Sequence, residues 1–172
     1  MKVVDDFLSK KDLKSLQYTM LGPDFSWYYN PFIDSYLKPN LAEDLGKFQF
    51  THSLYRANRP MSDFFGEWFD MLIYPIIGEG ILDRIKANLL IRTPEIIENE
   101  FHVDVKPATK PFTSAIFYVN TNNGYTKFKD GTKVESVENR LVTFPVNKKH
   151  TGTTCTNKNV RIVINFLYMN YE

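Results

Sequence analysis

The stretch Arg161-Ile162-Val163-Ile164-Asn165-Phe166-Leu167-Tyr168 decides the fold. Successive side chains of a strand point to opposite faces. Here one face, Ile162, Ile164, Phe166 and Tyr168, is wholly apolar, while the other carries Arg161, Val163, Asn165 and Leu167. The same period of two runs back along the chain. Ile85, Ala87, Leu89 and Ile91 alternate with Lys86, Asn88 and Leu90. Phe101, Val103 and Val105 alternate with His102 and Asp104, and Thr113, Ala115, Phe117 and Val119 with Ser114, Ile116 and Tyr118. Further strand-like runs occupy 125–129, 133–136 and 141–146. Turn-prone pieces at 107–110, 120–124, Asp130-Gly131 and 147–159 separate them. Short strands at this density predict an antiparallel sandwich or barrel.

Before residue 84 the texture is different. Ser9 is placed to cap a short helix with Asp12 in its first turn and Leu13 and Leu16 on one face. Ser62 is placed to cap a longer one, in which Phe65, Trp68, Phe69, Leu72, Ile73 and Ile76 recur at three and four, with Pro75 limiting its far end. Between them the segment 23–60 is aromatic and irregular, and reads as loops and short strands. The expectation is a single α+β domain over 1–172, with 1–83 as helical and irregular support and 84–172 as the β core.

Composition narrows the function. A chain of 172 residues, 43% hydrophobic, buries a core of its own. No apolar run approaches the roughly 20 residues needed to span a bilayer, so no membrane partner is expected. The N-terminus shows no signal-peptide pattern. Cys155 is the single cysteine, so no intramolecular disulfide forms and a reducing, cytoplasmic setting is expected. A net charge of +1 excludes a nucleic-acid coat and leaves no strong nucleic-acid signal. That near-neutrality is an average. Residues 1–100 carry 11 Lys and Arg against 15 Asp and Glu, and residues 101–172 carry 10 against 5. The basic half suits an anionic ligand.

Three strand residues are polar where a lined interior is expected. His102 and Asp104, two apart, point the same way and can hold one metal ion side by side. A second imidazole would complete a 2-His-1-carboxylate facial triad, the set that leaves positions open in non-haem Fe(II) oxygenases. Of three histidines, His150 follows the run 141–146 and is the better candidate; His52, in the irregular part, is the weaker. Arg161 is suited to a bidentate bond with a carboxylate. Each has an ordinary alternative: a half-buried His, a surface Asp, a strand-end Arg reaching solvent.

From about Arg84 to Tyr168 the chain resembles the double-stranded β-helix core of the Fe(II)/2-oxoglutarate-dependent dioxygenases, in their prolyl-hydroxylase-like branch. The matching pieces come in the family's order: Phe101-His102-Val103-Asp104, Ile116-Phe117-Tyr118-Val119-Asn120, Gly124-Tyr125-Thr126-Lys127-Phe128, Asn139-Arg140-Leu141-Val142-Thr143-Phe144, His150-Thr151-Gly152 and Arg161-Ile162-Val163-Ile164-Asn165-Phe166. One glycine of the family's Gly-Gly-Thr-x-Phe run is replaced, by Tyr125.

The resemblance implies a jelly-roll fold and a dioxygenase that decarboxylates 2-oxoglutarate to succinate and CO2 while hydroxylating a substrate C–H bond. It implies Fe(II) on His102, Asp104 and His150, with O2 as co-reactant and ascorbate as an accessory reductant. It implies 2-oxoglutarate held by Arg161 and Tyr118, with Asn165, Asn88 and Thr126 as further pocket residues. Lys106, Lys110, Lys148 and Lys149 would flank the mouth. The implied primary substrate is a protein or peptide, a prolyl residue being the first choice, met by loops at 107–111 and 120–123 and by the aromatic segment 25–36. Two alternatives stand beside this: a non-catalytic jelly-roll binding module, and a cupin-type metalloenzyme that does not use 2-oxoglutarate.

Overall fold

The Ser9 hydroxyl accepts the backbone N–H of Asp12 at 3.2 Å, and helix α1 (Lys10–Leu21) follows from that cap, burying Leu13, Leu16 and Met20. The computed structural model describes residues 1–33, 47–105 and 111–170. Lys106, Lys110, the turn at 107–110 and Tyr36 lie outside these residues.

The long helix expected after Ser62 forms in three short pieces: α2 (Phe64–Glu67), a π-helical turn Phe69–Ile73, and α3 (Tyr74–Ile77). Pro75 lacks the N–H of a helix interior, and the α-helical pattern restarts just ahead of it, at Tyr74. Pro75 does not end the helix. It lies in the first turn of α3, where a missing N–H goes unnoticed, and the chain stops at Gly78 with φ 55°. Leu72 and Ile73 of the π-helical turn still reach the core.

The strands are β1 (Lys2–Val4), β2 (Tyr28–Asn30), β3 (Gln49–Arg56), β4 (Arg59–Pro60), β5 (Ile81–Ile91), β6 (Phe112–Tyr118), β7 (Tyr125–Phe128), β8 (Lys133–Glu135), β9 (Arg140–Pro145), β10 (His150–Gly152) and β11 (Val160–Met169). All ladders are antiparallel. The large sheet runs β1-β9-β6-β11-β5-β3-β2, with β4 paired to β3; the small sheet runs β10-β7-β8. Strands from before residue 84 thus extend the same sheet as the later ones, β1 against β9 and β3 against β5.

Strand β11 is the hinge of the design, paired on one side with β5 and on the other with β6. Its apolar face, Ile162, Ile164, Phe166 and Tyr168, joins Ile85 and Ala87 of β5 and Ala115 and Phe117 of β6 under the helices. Each of the Ile and Phe side chains contributes about 1.5–3 kcal/mol on burial. Its other face looks towards the small sheet, where Val163 packs with Ile116, Tyr118, Val142 and Phe144 against Phe128 and Val134. Two antiparallel sheets closing over their shared interior make a jelly roll, the double-stranded β-helix.

Two features trim this frame. Asn139, at φ 64°, takes the Leu8 N–H on its Oδ1 at 2.7 Å and returns its Nδ2 to the Leu8 carbonyl at 2.8 Å, docking the N-terminal segment on the turn before β9. Cys155 is fully buried, bridged to Arg92, with its Sγ–H donating to the Lys158 carbonyl at 3.4 Å.

Candidate metal centre and cavity

The expected strand at 101–105 does not form as a ladder. His102 alone makes an antiparallel bridge, with His150, the first residue of β10, and the chain bends at Asp104 and Val105. The two histidines exchange both backbone bonds, His102 N–H to the His150 carbonyl at 2.9 Å and the reverse at 3.0 Å. Directly opposed residues carry their side chains on the same face, and the imidazole centroids lie 4.7 Å apart. The bend then swings Asp104 to the same point: its Oδ2 is 3.9 Å from His150 Nε2. One ligand atom from each of the three lies within 4.8 Å of the others.

The surroundings of the triad fit a divalent ion. His102 Nδ1 faces the Glu100 carbonyl and His150 Nδ1 the Lys148 carbonyl, each at 3.2 Å. A carbonyl only accepts, so Nδ1 is the donor in each ring and Nε2 is the nitrogen left to face a cation. Burial lowers the His150 pKa, against the upward pull of Asp104. Burial alone would raise the pKa of Asp104. His150, Arg84, the Ser114 hydroxyl and His102 together overcome it and hold the carboxyl below its ordinary value. Two imidazoles and one carboxylate are the donor set of a non-haem Fe(II) facial triad.

The triad lies in a cavity between the sheets. Its wall on β5 is Arg84, Lys86, Asn88 and Leu90; on β11 it is Arg161, Val163 and Asn165. These are the residues of one strand face each, as alternation predicts. Thr126 of β7 and Asn99 also line it. Of the eight residues singled out in the sequence, His102, Asp104, His150, Arg161, Asn165, Asn88 and Thr126 are thus brought to one cavity. Tyr118 is fully buried one layer behind the wall, its hydroxyl donating to Thr126 Oγ1 at 2.7 Å. His52 is elsewhere: its Nδ1 bonds the Ser26 carbonyl at 2.7 Å, and its ring packs 4.3 Å from that of Phe25. Lys148 is engaged by Asp130 at 2.9 Å and lies over the Phe128 ring.

Arg161 is only 2% exposed. Its Nε donates to Ser136 Oγ at 2.8 Å, its Nη2 to Thr126 Oγ1 at 3.4 Å, and its guanidinium carbon lies 5.8 Å from the Tyr118 ring centre. Thr126 Oγ1 thereby accepts two bonds, leaving its own hydroxyl hydrogen to give to another acceptor. Burial lowers the Arg161 pKa, but a guanidinium stays charged. Among the described residues no carboxylate pairs with it. A buried unpaired cation is expensive, and an anion in the cavity is the natural remedy. Gly124 makes room for its stem: a Cβ there would stand 2.7 Å from Arg161 Cδ and 2.7 Å from the Thr154 carbonyl oxygen.

Sequence reading missed four supporting residues. Ser136 holds Arg161. Arg84 and Ser114 hold Asp104. Asn99 donates its Nδ2 to the Gly152 carbonyl at 3.0 Å. Arg84 shares the face of Lys86 and Asn88, and Ser114 that of Ile116 and Tyr118, so alternation carried the signal for those two. Asn99 lies outside any ladder and gave none, and Ser136 ends the strand-like run 133–136, one residue past the end of β8.

No protein-family model and no curated protein sequence matches the chain. Solved structures do. An oxidoreductase of the 2OG-Fe(II) oxygenase family from Burkholderia pseudomallei superposes with a TM-score of 0.64 at 11% identity, over 95% of this chain and 81% of that one. A Pseudomonas putida prolyl-4-hydroxylase gives 0.58 at 16%, over 99% and 92%. A prolyl hydroxylase from Trichoplax adhaerens, in complex with a hypoxia inducible factor oxygen degradation domain peptide fragment, gives 0.63 at 12%, over 98% and 82%. At these identities the likeness is one of fold, and the fold is the double-stranded β-helix these proteins share.

Proposed function

We propose that this chain is a non-haem Fe(II)- and 2-oxoglutarate-dependent dioxygenase that hydroxylates a C–H bond of a peptide, with a prolyl residue as the first candidate. One observation carries the reading. A cavity that gathers His102, Asp104 and His150 also holds Arg161, a buried cation without a carboxylate partner among the described residues. Arg161 is why the reading prefers a 2-oxoglutarate enzyme to a cupin-type metalloenzyme or a non-catalytic module.

In this reading His102, Asp104 and His150 hold the iron through Nε2, a carboxylate oxygen and Nε2. Iron with 2-oxoglutarate and O2 supplies the oxidising power for an unactivated C–H bond. The protein's own residues do the rest. Arg161 takes the distal carboxylate in a charge-assisted bond, and Thr126 offers its free hydroxyl hydrogen to the same end. Tyr118 fixes Thr126 rather than touching the cosubstrate. Asn88 and Asn165, on neighbouring strands of the large sheet, turn their amides to the same side of the cavity and help orient its ligand. The apolar layer of Val163 and Ile116 limits water. Ascorbate would serve only to restore iron left oxidised by unproductive cycles. The peptide class is supported by the peptide-bound Trichoplax neighbour. No helix among the described residues is long and apolar enough to cross a membrane, and a cytoplasmic site of action fits the single, buried thiol.

The test is an anaerobic titration of Fe(II) and 2-oxoglutarate into the protein. A weak visible charge-transfer band is expected for wild type and not for His102→Ala. Succinate should form on admitting O2, faster with the right peptide. No band and no succinate would sink the proposal; a metal complex indifferent to Arg161→Ala would favour the cupin-type alternative.

A further inference from the structure

The carboxylate of Asp104 is gripped on both oxygens, by residues from two strands. Ser114 Oγ donates to Oδ2 at 2.6 Å, and Arg84 Nη2 reaches Oδ1 at 3.4 Å. Arg84 on β5 and Ser114 on β6 are both register partners of Leu167 on β11, so they stand on either side of one residue and converge on one side chain. The two oxygens are not equivalent. Oδ2 is the one 3.9 Å from His150 Nε2 and so belongs to the ligand cluster, while Oδ1 is turned to the guanidinium.

A carboxylate can give a cation one oxygen or both. With both, a two-histidine site would offer four protein atoms and keep two positions of an octahedron; with one, it keeps three. We infer that Arg84 is a positioning residue that restricts Asp104 to one-oxygen ligation and so keeps the third position open. This inference rests on the function proposed above and specifies how that site stays open. A guanidinium on Oδ1 repels a dication approaching that oxygen and leaves Oδ2, steadied by Ser114, as the only donor. Arg84 therefore trades metal affinity for vacancy. An ordinary supporting residue does the opposite, and its loss costs roughly 10–100-fold in affinity. Ser114 is support of that ordinary kind.

Mn(II) alone is the probe. Water-proton relaxation of the Mn(II)-loaded protein counts exchangeable metal-bound waters, and the same titration gives the affinity. Three waters are expected for wild type and for Arg84→Lys, which keeps the charge. Two are expected for Arg84→Met and for Arg84→Gln, the second variant guarding against a folding defect in the first. Mn(II) affinity should be equal or higher in both, by up to about tenfold. Ser114→Ala should weaken binding with the count unchanged. Three waters in every variant, or a weakened Arg84→Met with an unchanged count, would overturn the inference while leaving the proposed function standing. A wild-type protein that binds no Mn(II) would overturn both.

Discussion

Thr126 Oγ1 bridges Arg161 to Tyr118, accepting the phenolic hydroxyl at 2.7 Å and the guanidinium at 3.4 Å. The cation is thus fixed on one edge by neutral hydroxyls alone, which orient it without neutralising it. Its charge is left unmatched among the described residues.

Arg161→Met tests that directly. Replacing a buried, unpaired charge with an apolar side chain is often neutral or stabilising, so the ligand-free variant should melt no lower than wild type. With Mn(II) present, 2-oxoglutarate at a hundred times its Kd should raise the wild-type Tm by roughly 5–10 °C. The variant should show no rise. A thermal melt of both proteins decides it, and an equal shift in the two would remove Arg161 from the ligand site.

Gly124→Ala puts a methyl group 2.7 Å from Arg161 Cδ and 2.7 Å from a backbone oxygen of Thr154. The stem can move but the backbone cannot move cheaply. A loss of about 1–3 kcal/mol is expected from overpacking, together with a weaker 2-oxoglutarate shift because the guanidinium is displaced. Urea denaturation with and without ligand measures both. A variant of wild-type stability would mean that Arg161 takes another path through the core.

Asn139 holds the N-terminal segment and occupies the left-handed region, so two substitutions separate the two roles. Asn139→Gly keeps the backbone and loses both bonds to Leu8, about 1–3 kcal/mol together. Asn139→Ala loses the same bonds and adds about 1–2 kcal/mol of left-handed strain. Alanine should therefore be the less stable in equilibrium unfolding, and the reverse order would refute this account of the turn.

The Lys148 ammonium beside Asp130, aided by the Thr132 N–H, lowers the Asp130 pKa to about 2. A depressed carboxyl stabilises the fold above its unfolded value, near 3.8, and that contribution fades as pH falls through about 2. The side chain is fully exposed, so the effect on stability is small. A carboxyl-carbon NMR titration should show Asp130 still ionised at pH 3 in wild type and titrating closer to 3.8 in Lys148→Met. An unchanged midpoint would show that the ion pair does not persist in solution.

The two faces of β11 were legible because a strand has a period of two and nothing else competes there. Arg161 and Asn165 fell on the cavity side, and Ile162 and Ile164 on the core side, as alternation requires. Alternation also put His102 and Asp104 together, but by the wrong device. Asp104 arrives through a bend, which has no period to read. The helix after Ser62 looked continuous because its apolar spacing ignores hydrogen bonding, whereas the chain changes from an α to a π-helical pattern at Trp68 and back at Tyr74. The bond from Ser136 to Arg161 was silent because it spans 25 residues, a pairing that no local pattern encodes. The bond from Tyr118 to Thr126 had no sequence signal, since a phenol that gives its hydrogen to a neighbouring hydroxyl looks in sequence like one that offers it to a ligand.

Cys155 bears on how such a protein would age. Burial pushes its pKa up, so the thiol form prevails, and oxidants attack the thiolate. An oxidant in solution would bypass this sulfur and meet Met1 and Met61, which are 52% and 48% exposed. Damage there takes the form of sulfoxide, which reductases reverse. The fold therefore sends its wear to the surface, where repair can reach it.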